Sequence, residues 1–493
     1  MTENLVALQV VVPLIFAPVC LLLGKSRHAW ACALTVSWLA LGIATLLVTR
    51  VATIGTQSYA IGAWAAPIGI EYRVDMAGAL IIFIIAAIGA MVMSYARRSI
   101  EHEIAAENSG YFYACYLLCL TGLLGIAATG DAFNMFVFLE ISSLSSYVLI
   151  SLGTTRRALT AAFQYLVMGT IGATFILIGV GMLYMMTGTL NMMDLAQRLP
   201  GVDDTRTIRV AFAFVTIGVS IKLALFPLHL WLPNAYTFAP SVVSAFVAAT
   251  ATKVGIYVLL RFFFTVFGIH FSFVAMHVGE ILMVLAVVAM LVASLVAIFQ
   301  DNIKRMLAYS SVAQIGYMIL GISLATSAGV TAGMIHLFNH ALIKCALFLC
   351  MGNIFLRLGS VELHDLRGLA QQMPWTMAVF VIGGLSLIGV PLTSGFISKW
   401  YLVSAVLDAG LWPLAVLILL ASLFALIYIG RVVEAAYFSK PDPTAKKVRE
   451  APASMLIPAW LLIGANLYIG VDASLLAGIA RQGADILIGA GVP

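Results

Sequence analysis

Residues 375–407 read WTMAVFVIGGLSLIGVPLTSGFISKWYLVSAVL, about 33 positions carrying a single charge, Lys399, and a single proline, Pro391. About 20 helical residues cross a hydrocarbon core of about 30 Å, so this stretch is too long for one straight span. Proline withholds a backbone donor and clashes with the preceding turn, which predicts a discontinuous helix better than tilt does. A second apolar run has the same interruption: KLALFPLHLWLP, residues 222–233, with Lys222 and Pro227. Backbone groups freed inside a bilayer are tolerated only against protein or water, so both breaks point to a polar interior.

The rest of the chain fits this reading. It has 493 residues, 62% hydrophobic and 10% charged, with a mean hydropathy of +1.07. Soluble domains carry roughly a quarter charged residues, so a water-soluble fold is excluded, and barrel strands would be shorter and alternating. Apolar runs predict spans near 4–24, 28–49, 74–95, 112–130, 132–153, 161–187, 209–230, 241–267, 274–299, 304–323, 328–356, 375–407, 411–430 and 454–472. The fold class is therefore an all-α integral membrane protein of about fourteen transmembrane helices.

Loop charge orients the bundle. With the N-terminus outside, fifteen of the 26 Lys and Arg residues fall on the cytoplasmic side: Lys25, Arg27, Arg97, Arg98, Arg156, Arg157, Lys304, Arg305, Arg357, Arg367, Arg431, Lys440, Lys446, Lys447 and Arg449. Seven, including Arg73 and Arg261, fall opposite, and Lys222, Lys253, Lys344 and Lys399 have no loop to occupy. Both termini are expected to be periplasmic in a bacterial inner membrane. The acidic leader MTEN lacks the basic region of a signal peptide, so the first span is read as retained. The net charge of +5 follows from the loop asymmetry and gives no reason for a nucleic-acid partner. All six cysteines lie within spans, which disfavours disulfides and thiolate metal cages.

Paired interruptions in two halves are the sequence pointer to inverted repeats with a site at their interface. The division expected is N-terminal helices in 1–111, repeat one in 112–267 (helices 4–8) and repeat two in 274–430 (helices 9–13). A cytoplasmic loop with Pro441 and Pro443, helix 14 and a C-terminal tail fill 431–493.

Glu140 lies eight residues into FNMFVFLEISSLSSYVLISLG, and Lys222, Lys253, Lys344 and Lys399 sit near the middle of apolar runs. An ionised group at bilayer centre costs about 2.5 to 3.5 kcal/mol on insertion scales, so five need an explanation. A Glu140–Lys222 pair that merely fixes helix register is the bland reading, but one carboxylate cannot neutralise four ammoniums. Desolvation favours the neutral form of an amine, and a lysine that can lose its proton near neutrality can relay one.

The run HLFNHALIKCALF adds His336, His340 and Lys344 at i, i+4 and i+8, one helical face about 12 Å long. Histidine accepts and passes protons near physiological pH. A metal site lacks an acidic ligand nearby and the HExxH pattern, and a haem needs axial ligands from opposite sides; neither metal nor cofactor is expected. His229 beside Pro227 is an auxiliary candidate that can also serve simply to bond a freed carbonyl. Asp131 at the head of the fifth span suits a helix N-terminus, and Glu280 an interface.

At these residues the sequence resembles the proton-conducting antiporter-like subunits shared by Mrp-type sodium/proton antiporters, complex I and membrane-bound hydrogenases. The resemblance covers residues 70–430 and rests on DAFNMFVFLEISSLSSYVL, KLALFPLHLWLPNAYTFAPSVVSAFVAATATKVGIYVLLR, QDNIKRMLAYSSVAQIGYMILG, HLFNHALIKCALFL and GVPLTSGFISKW. It implies fourteen helices, two inverted repeats and a hydrated axis at mid-membrane. It also implies that Glu140 and Lys222 are a gating pair, Lys253 a connecting lysine, His336, His340 and Lys344 a central relay, and Lys399 a terminal exchanging lysine. Gln164, in AAFQYLVMG, stands where many relatives have lysine. GTLNMMDLA and the overall length look most like the Mrp D-type subunit.

Two functions are thus expected to compete. One is a subunit of a hetero-oligomeric antiporter moving protons and sodium; the other is a proton-pumping module of a redox complex. The chain has no redox motif of its own, so under either it conducts ions and has no catalytic residue. A third reading is an assembly subunit with a vestigial charged axis.

Overall fold

The computed structural model describes residues 4–24, 27–440 and 447–489. Lys25, Pro441, Pro443, Lys446 and the first three residues of the leader lie outside them. The described chain runs α1 (Leu5–Leu23), α2 (Arg27–Ile54), β1 (Gln57–Ala60), β2 (Glu71–Val74), α3 (Met76–Glu103), α4 (Ser109–Ala128), α5 (Ala132–Ser151), α6 (Arg156–Thr187), α7 (Met192–Arg198) and α8 (Arg206–Leu223). It continues through α9 (Trp231–Phe238), α10 (Ser241–Leu260), α11 (Val278–Ile298), α12 (Ile303–Ser323), α13 (Ser327–Leu358), α14 (Pro374–Ile388), α15 (Ser394–Asp408), α16 (Trp412–Val433), α17 (Ala453–Val471) and α18 (Ser474–Gly489).

Twelve of these helices are long and apolar enough to cross a membrane. Two further crossings are broken pairs, α8 with α9 and α14 with α15, which brings the expected fourteen. Helix is the natural solution because it satisfies every backbone group within the segment. The first turns are finished by side chains: Asp75, Asp131, Asn191, Thr205, Asn302 and Thr326 each accept from a free N–H at the head of a helix.

Successive loops gather on two faces. On one, which carries Arg156, Arg157, Arg305, Arg357 and Arg367, Arg431 pairs with Asp301 at 3.1 Å and the Arg357 guanidinium donates to the Glu450 carbonyl at 2.6 Å. On the other, Arg261 pairs with Asp75 at 2.5 Å and the Asn191 amide donates to Glu71 at 2.9 Å. We term the first the basic face and the second the opposite face. The α3 and α10 helices run antiparallel and are tied at both ends. Asp75 holds Arg261 on the opposite face, and Glu103 accepts from the Ser241 N–H at 2.8 Å on the basic face.

Two entries to the bundle are built alike. Asp131, which caps α5, bridges to Asn191 after α6, and Asn302, which caps α12, bridges to Glu362 after α13. The first bridge lies on the opposite face and the second on the basic face.

Four expectations are corrected. The seventh span does not end at residue 230: after the break it continues as α9, whose Asn234 and Thr237 hide it from an apolar count. Lys304 is not a loop residue but lies in the first turn of α12 with its side chain buried, and Arg261 is buried in a π-helical turn rather than exposed. Between α2 and α3 the chain also forms a hairpin, β1 against β2, with Ala60 opposite Glu71. The expected C-terminal tail forms α18, which buries Leu476, Ala480, Ala484 and Leu487 on one face against α3 and α13.

Candidate functional site

Glu140 and Lys222 meet because two helices deliver them to one depth. Asp131 starts α5 by accepting from the Asn134 N–H at 2.7 Å, and nine residues further on, about 13 Å along the axis, comes Glu140. Lys222 stands in the last turn of α8, where carbonyl groups favour a cation. Its Nζ donates to Glu140 Oε1 at 3.1 Å and to Ser143 Oγ at 2.8 Å. The α8 helix stops there because Ala224 adopts a left-handed φ of 59° and Pro227 follows. Trp231, the first residue of α9, donates its indole N–H to the Ile221 carbonyl at 3.0 Å, closing the break.

Lys253 and Lys344 are fully enclosed and have no carboxylate partner among the described residues. Lys253, on α10, donates to the Ala248 carbonyl at 2.5 Å. Lys344, on α13, donates to the Leu307 carbonyl at 2.7 Å and to the Ser310 hydroxyl, both on α12. One turn back on α13, His340 is buried with neither ring nitrogen partnered, and its ring stacks on His336 at 6.2 Å between centroids. His336 is fixed from both sides: Nδ1 lies 2.9 Å from Ser398 Oγ and Nε2 lies 2.8 Å from Gln314 Oε1.

Lys399 follows Ser398 on α15, and its Nζ turns back to the break. It donates to the Leu387 carbonyl at 3.0 Å, the Ile388 carbonyl at 2.8 Å and Ser422 Oγ of α16 at 2.8 Å. In an unbroken helix the Leu387 carbonyl would accept from residue 391, but Pro391 has no N–H. The ammonium therefore takes the place of the missing donor. The ring of Tyr317 lies 4.9 Å from the same Nζ and 5.5 Å from the His336 ring, which puts one aromatic face beside both groups.

The structure thus brings together Glu140 with Lys222, His336 with His340, and His336 with the α15 turn that holds Lys399. Lys253 is joined to the relay by the packing of α10 on α13. Gln164 is not among them: it is exposed on α6 and accepts from the Asn234 amide at 2.8 Å. His229 is buried beside Phe226, with its Nδ1 unpartnered.

Sequence reading passed over Ser310, Gln314 and Tyr317. Their spacing of i, i+4 and i+7 in RMLAYSSVAQIGYMILG puts three polar groups on one face of an apolar helix, and that signal was available. The buried Asp75–Arg261 pair had no such signal, because Arg261 counts among the charges opposite the cytoplasm and Asp75 stands at the very start of its span. What the assembled site can do is hold protons. It offers one carboxylate, four amines, two imidazoles and several hydroxyls, most of them buried.

These residues lie within a match, over residues 129–425, to the family described as NADH:quinone oxidoreductase/Mrp antiporter, TM. The chain is 42% identical over 482 residues to NADH-quinone oxidoreductase subunit N of Desulforudis audaxviator, covering 94% of each chain. It is 30% identical over 487 residues to the D-type subunit of the Na(+)/H(+) antiporter of Bacillus subtilis, covering 99% of this chain and 97% of that one. A chain in the structure of the Mrp complex from a Dietzia species matches with a TM-score of 0.90 at 27% identity, covering 99% of this chain and 97% of that one. The protein is a multi-pass membrane member of the NADH:quinone oxidoreductase/Mrp antiporter transmembrane family.

Proposed function

We propose that the chain is the proton-translocating subunit of a multisubunit antiporter that exchanges a monovalent cation, sodium, for protons. The proposed path runs from Glu140 and Lys222 through Lys253, then Lys344, His340 and His336, to Lys399. The observation that carries this reading is the pairing of one carboxylate with one of the four buried lysines on this path, while the other three are held by carbonyls and hydroxyls. Stability alone does not explain such a set, since buried charges are no better for it than apolar packing. Proton exchange does, because amines and imidazoles removed from water can change protonation state in place. On this reading the subunit is a secondary transporter component rather than an enzyme, and its partners are the other antiporter subunits.

The proposal includes a bacterial plasma membrane with the basic face cytoplasmic, since Lys and Arg enrich that side. It also includes two inverted repeats, 112–267 and 274–430, supported by the paired breaks and by the matched bridges at Asp131 and Asn302. A second reading, a proton-pumping subunit of a redox complex, is favoured by the 42% identity to a protein named NADH-quinone oxidoreductase subunit N.

The test is cation-induced proton exchange in everted vesicles holding the complete partner set, compared with Glu140→Ala and Lys399→Ala at equal expression. Exchange lost in both variants is the expected result; exchange unchanged in both would sink the axis. Proton movement that starts only with quinone reduction, and not with sodium, would move the assignment to the second reading.

A further inference from the structure

The basic face holds a second buried carboxylate and ammonium that the axis does not use. Glu103 is the last residue of α3, and Lys304 lies in the first turn of α12. The hydroxyl of Ser241, at the head of α10, stands between them. It donates to Glu103 Oε2 at 3.0 Å and accepts from Lys304 Nζ at 2.8 Å. Ser99 donates to the other Glu103 oxygen at 2.6 Å. All of these side chains are buried, with Lys304 only 4% exposed.

They are nonetheless within reach of water. Glu103 and Lys304 line a cavity of about 200 Å³ whose walls include Thr154, Thr155, Pro240 and Gly359. Thr154, Thr155 and Gly359 are exposed, so the cavity is rimmed by loops of the basic face. The helix that carries Lys304 leads on to the relay. Lys344 donates to Leu307 and Ser310, which follow Lys304 on α12 by three and six residues, a rise of about 4.5 to 9 Å.

The geometry points to Glu103, Ser241 and Lys304 as a proton port on the basic face, loading the axis at Lys344 rather than at Glu140 or Lys399. The inference rests on the proton-axis reading given above. A proton arriving from cavity water forms an O–H bond on Glu103. Passing it on breaks that bond while Ser241 takes the proton and gives up its own, and the neutral amine of Lys304 gains an N–H. The carboxylate, hydroxyl and ammonium are then as the structure shows them, and the reverse sequence releases a proton. The port requires water to bridge the remaining distance from Lys304 to Ser310, about 9 Å along α12.

A purely structural role makes a different prediction. As a clamp between α3 and α10, Glu103 needs only to accept hydrogen bonds, and the amide oxygen of Glu103→Gln can still accept from Ser241. As a port it must take up a proton, which the amide cannot do. The experiment uses vesicles with the complete partner set and compares wild type, Glu140→Ala, Glu103→Gln and Thr154→Cys. Thr154→Cys is measured before and after a bulky, membrane-impermeant thiol reagent applied to one face at a time, against wild type treated in the same way.

Glu103→Gln is expected to assemble normally and lose proton exchange by about a hundredfold. Labelled Thr154→Cys is expected to fall relative to its unlabelled state only when the reagent reaches the basic face. If Glu140→Ala abolishes exchange while Glu103→Gln and labelled Thr154→Cys both keep wild-type rates, the port is wrong and the axis stands. If Glu140→Ala itself leaves exchange intact, the axis reading falls and the port with it. Should Glu103→Gln fail to assemble, the Thr154→Cys measurement decides alone.

Discussion

The Lys399 ammonium donates to the carbonyl of Leu387 at 3.0 Å, the acceptor that Pro391 leaves without its helical donor. The break and the lysine are thus one device: proline creates the vacancy and the ammonium fills it. Pro391→Ala returns an N–H that competes for the same oxygen. A hydrogen bond to a charged group is worth about 1.5 to 3 kcal/mol, so proton exchange per assembled complex is expected to fall about tenfold or more. Exchange at the wild-type rate would mean that the break does not hold Lys399 in place.

Gly389 ends α14 with φ of 95°, and a Cβ added there would lie 2.9 Å from Cδ of Lys399. Gly389→Ala therefore meets a backbone cost of about 1 to 2 kcal/mol and also displaces the lysine stem. Gly430, inside α16, has nothing within 4 Å of such a Cβ and is the matched control. Thermal unfolding in detergent and proton exchange should both drop for Gly389→Ala, whereas Gly430→Ala should hold or gain stability.

Tyr317 contributes a ring and a hydroxyl, and the two can be separated. Its hydroxyl donates to the Ile418 carbonyl at 3.3 Å, while the ring faces Lys399. Tyr317→Phe keeps the ring and is expected to change exchange little. Tyr317→Leu removes a desolvated cation–π contact worth about 2 kcal/mol, which corresponds to about 30-fold in rate. Equal losses in the two variants would assign the effect to the hydroxyl instead.

On the opposite face the Asp75–Arg261 pair is expected to be structural. Arg261 also donates to Tyr257 Oη at 2.8 Å, while Asp75 caps α3 by accepting from the Gly78 N–H at 2.9 Å. Arg261→Leu leaves a buried carboxylate unpaired and should cost about 3 to 5 kcal/mol in unfolding measurements. Asp75→Ser with Arg261→Leu keeps a capping oxygen and removes the orphan charge, so most of the loss should return. A double variant as unstable as the single one would show that the pair is not acting through charge.

The amino-acid sequence by itself determined the solvent, the number of crossings and the titratable residues at bilayer depth. Runs of about 20 apolar residues cannot be soluble helices, and a charge within one is conspicuous because it is costly there. Pro227 and Pro391 were equally legible, since proline acts through its own covalent structure. What holds each charge was not legible. Lys399 is satisfied by carbonyls of α14 and a hydroxyl of α16, Lys344 by α12, and Lys304 by Ser241, and those partners are set by which helices pack together. For the same reason Lys304 and Arg261 were read as loop charges: position along the chain fixes depth to within a turn, but only tertiary packing decides whether a side chain at that depth meets water, lipid or a buried acid.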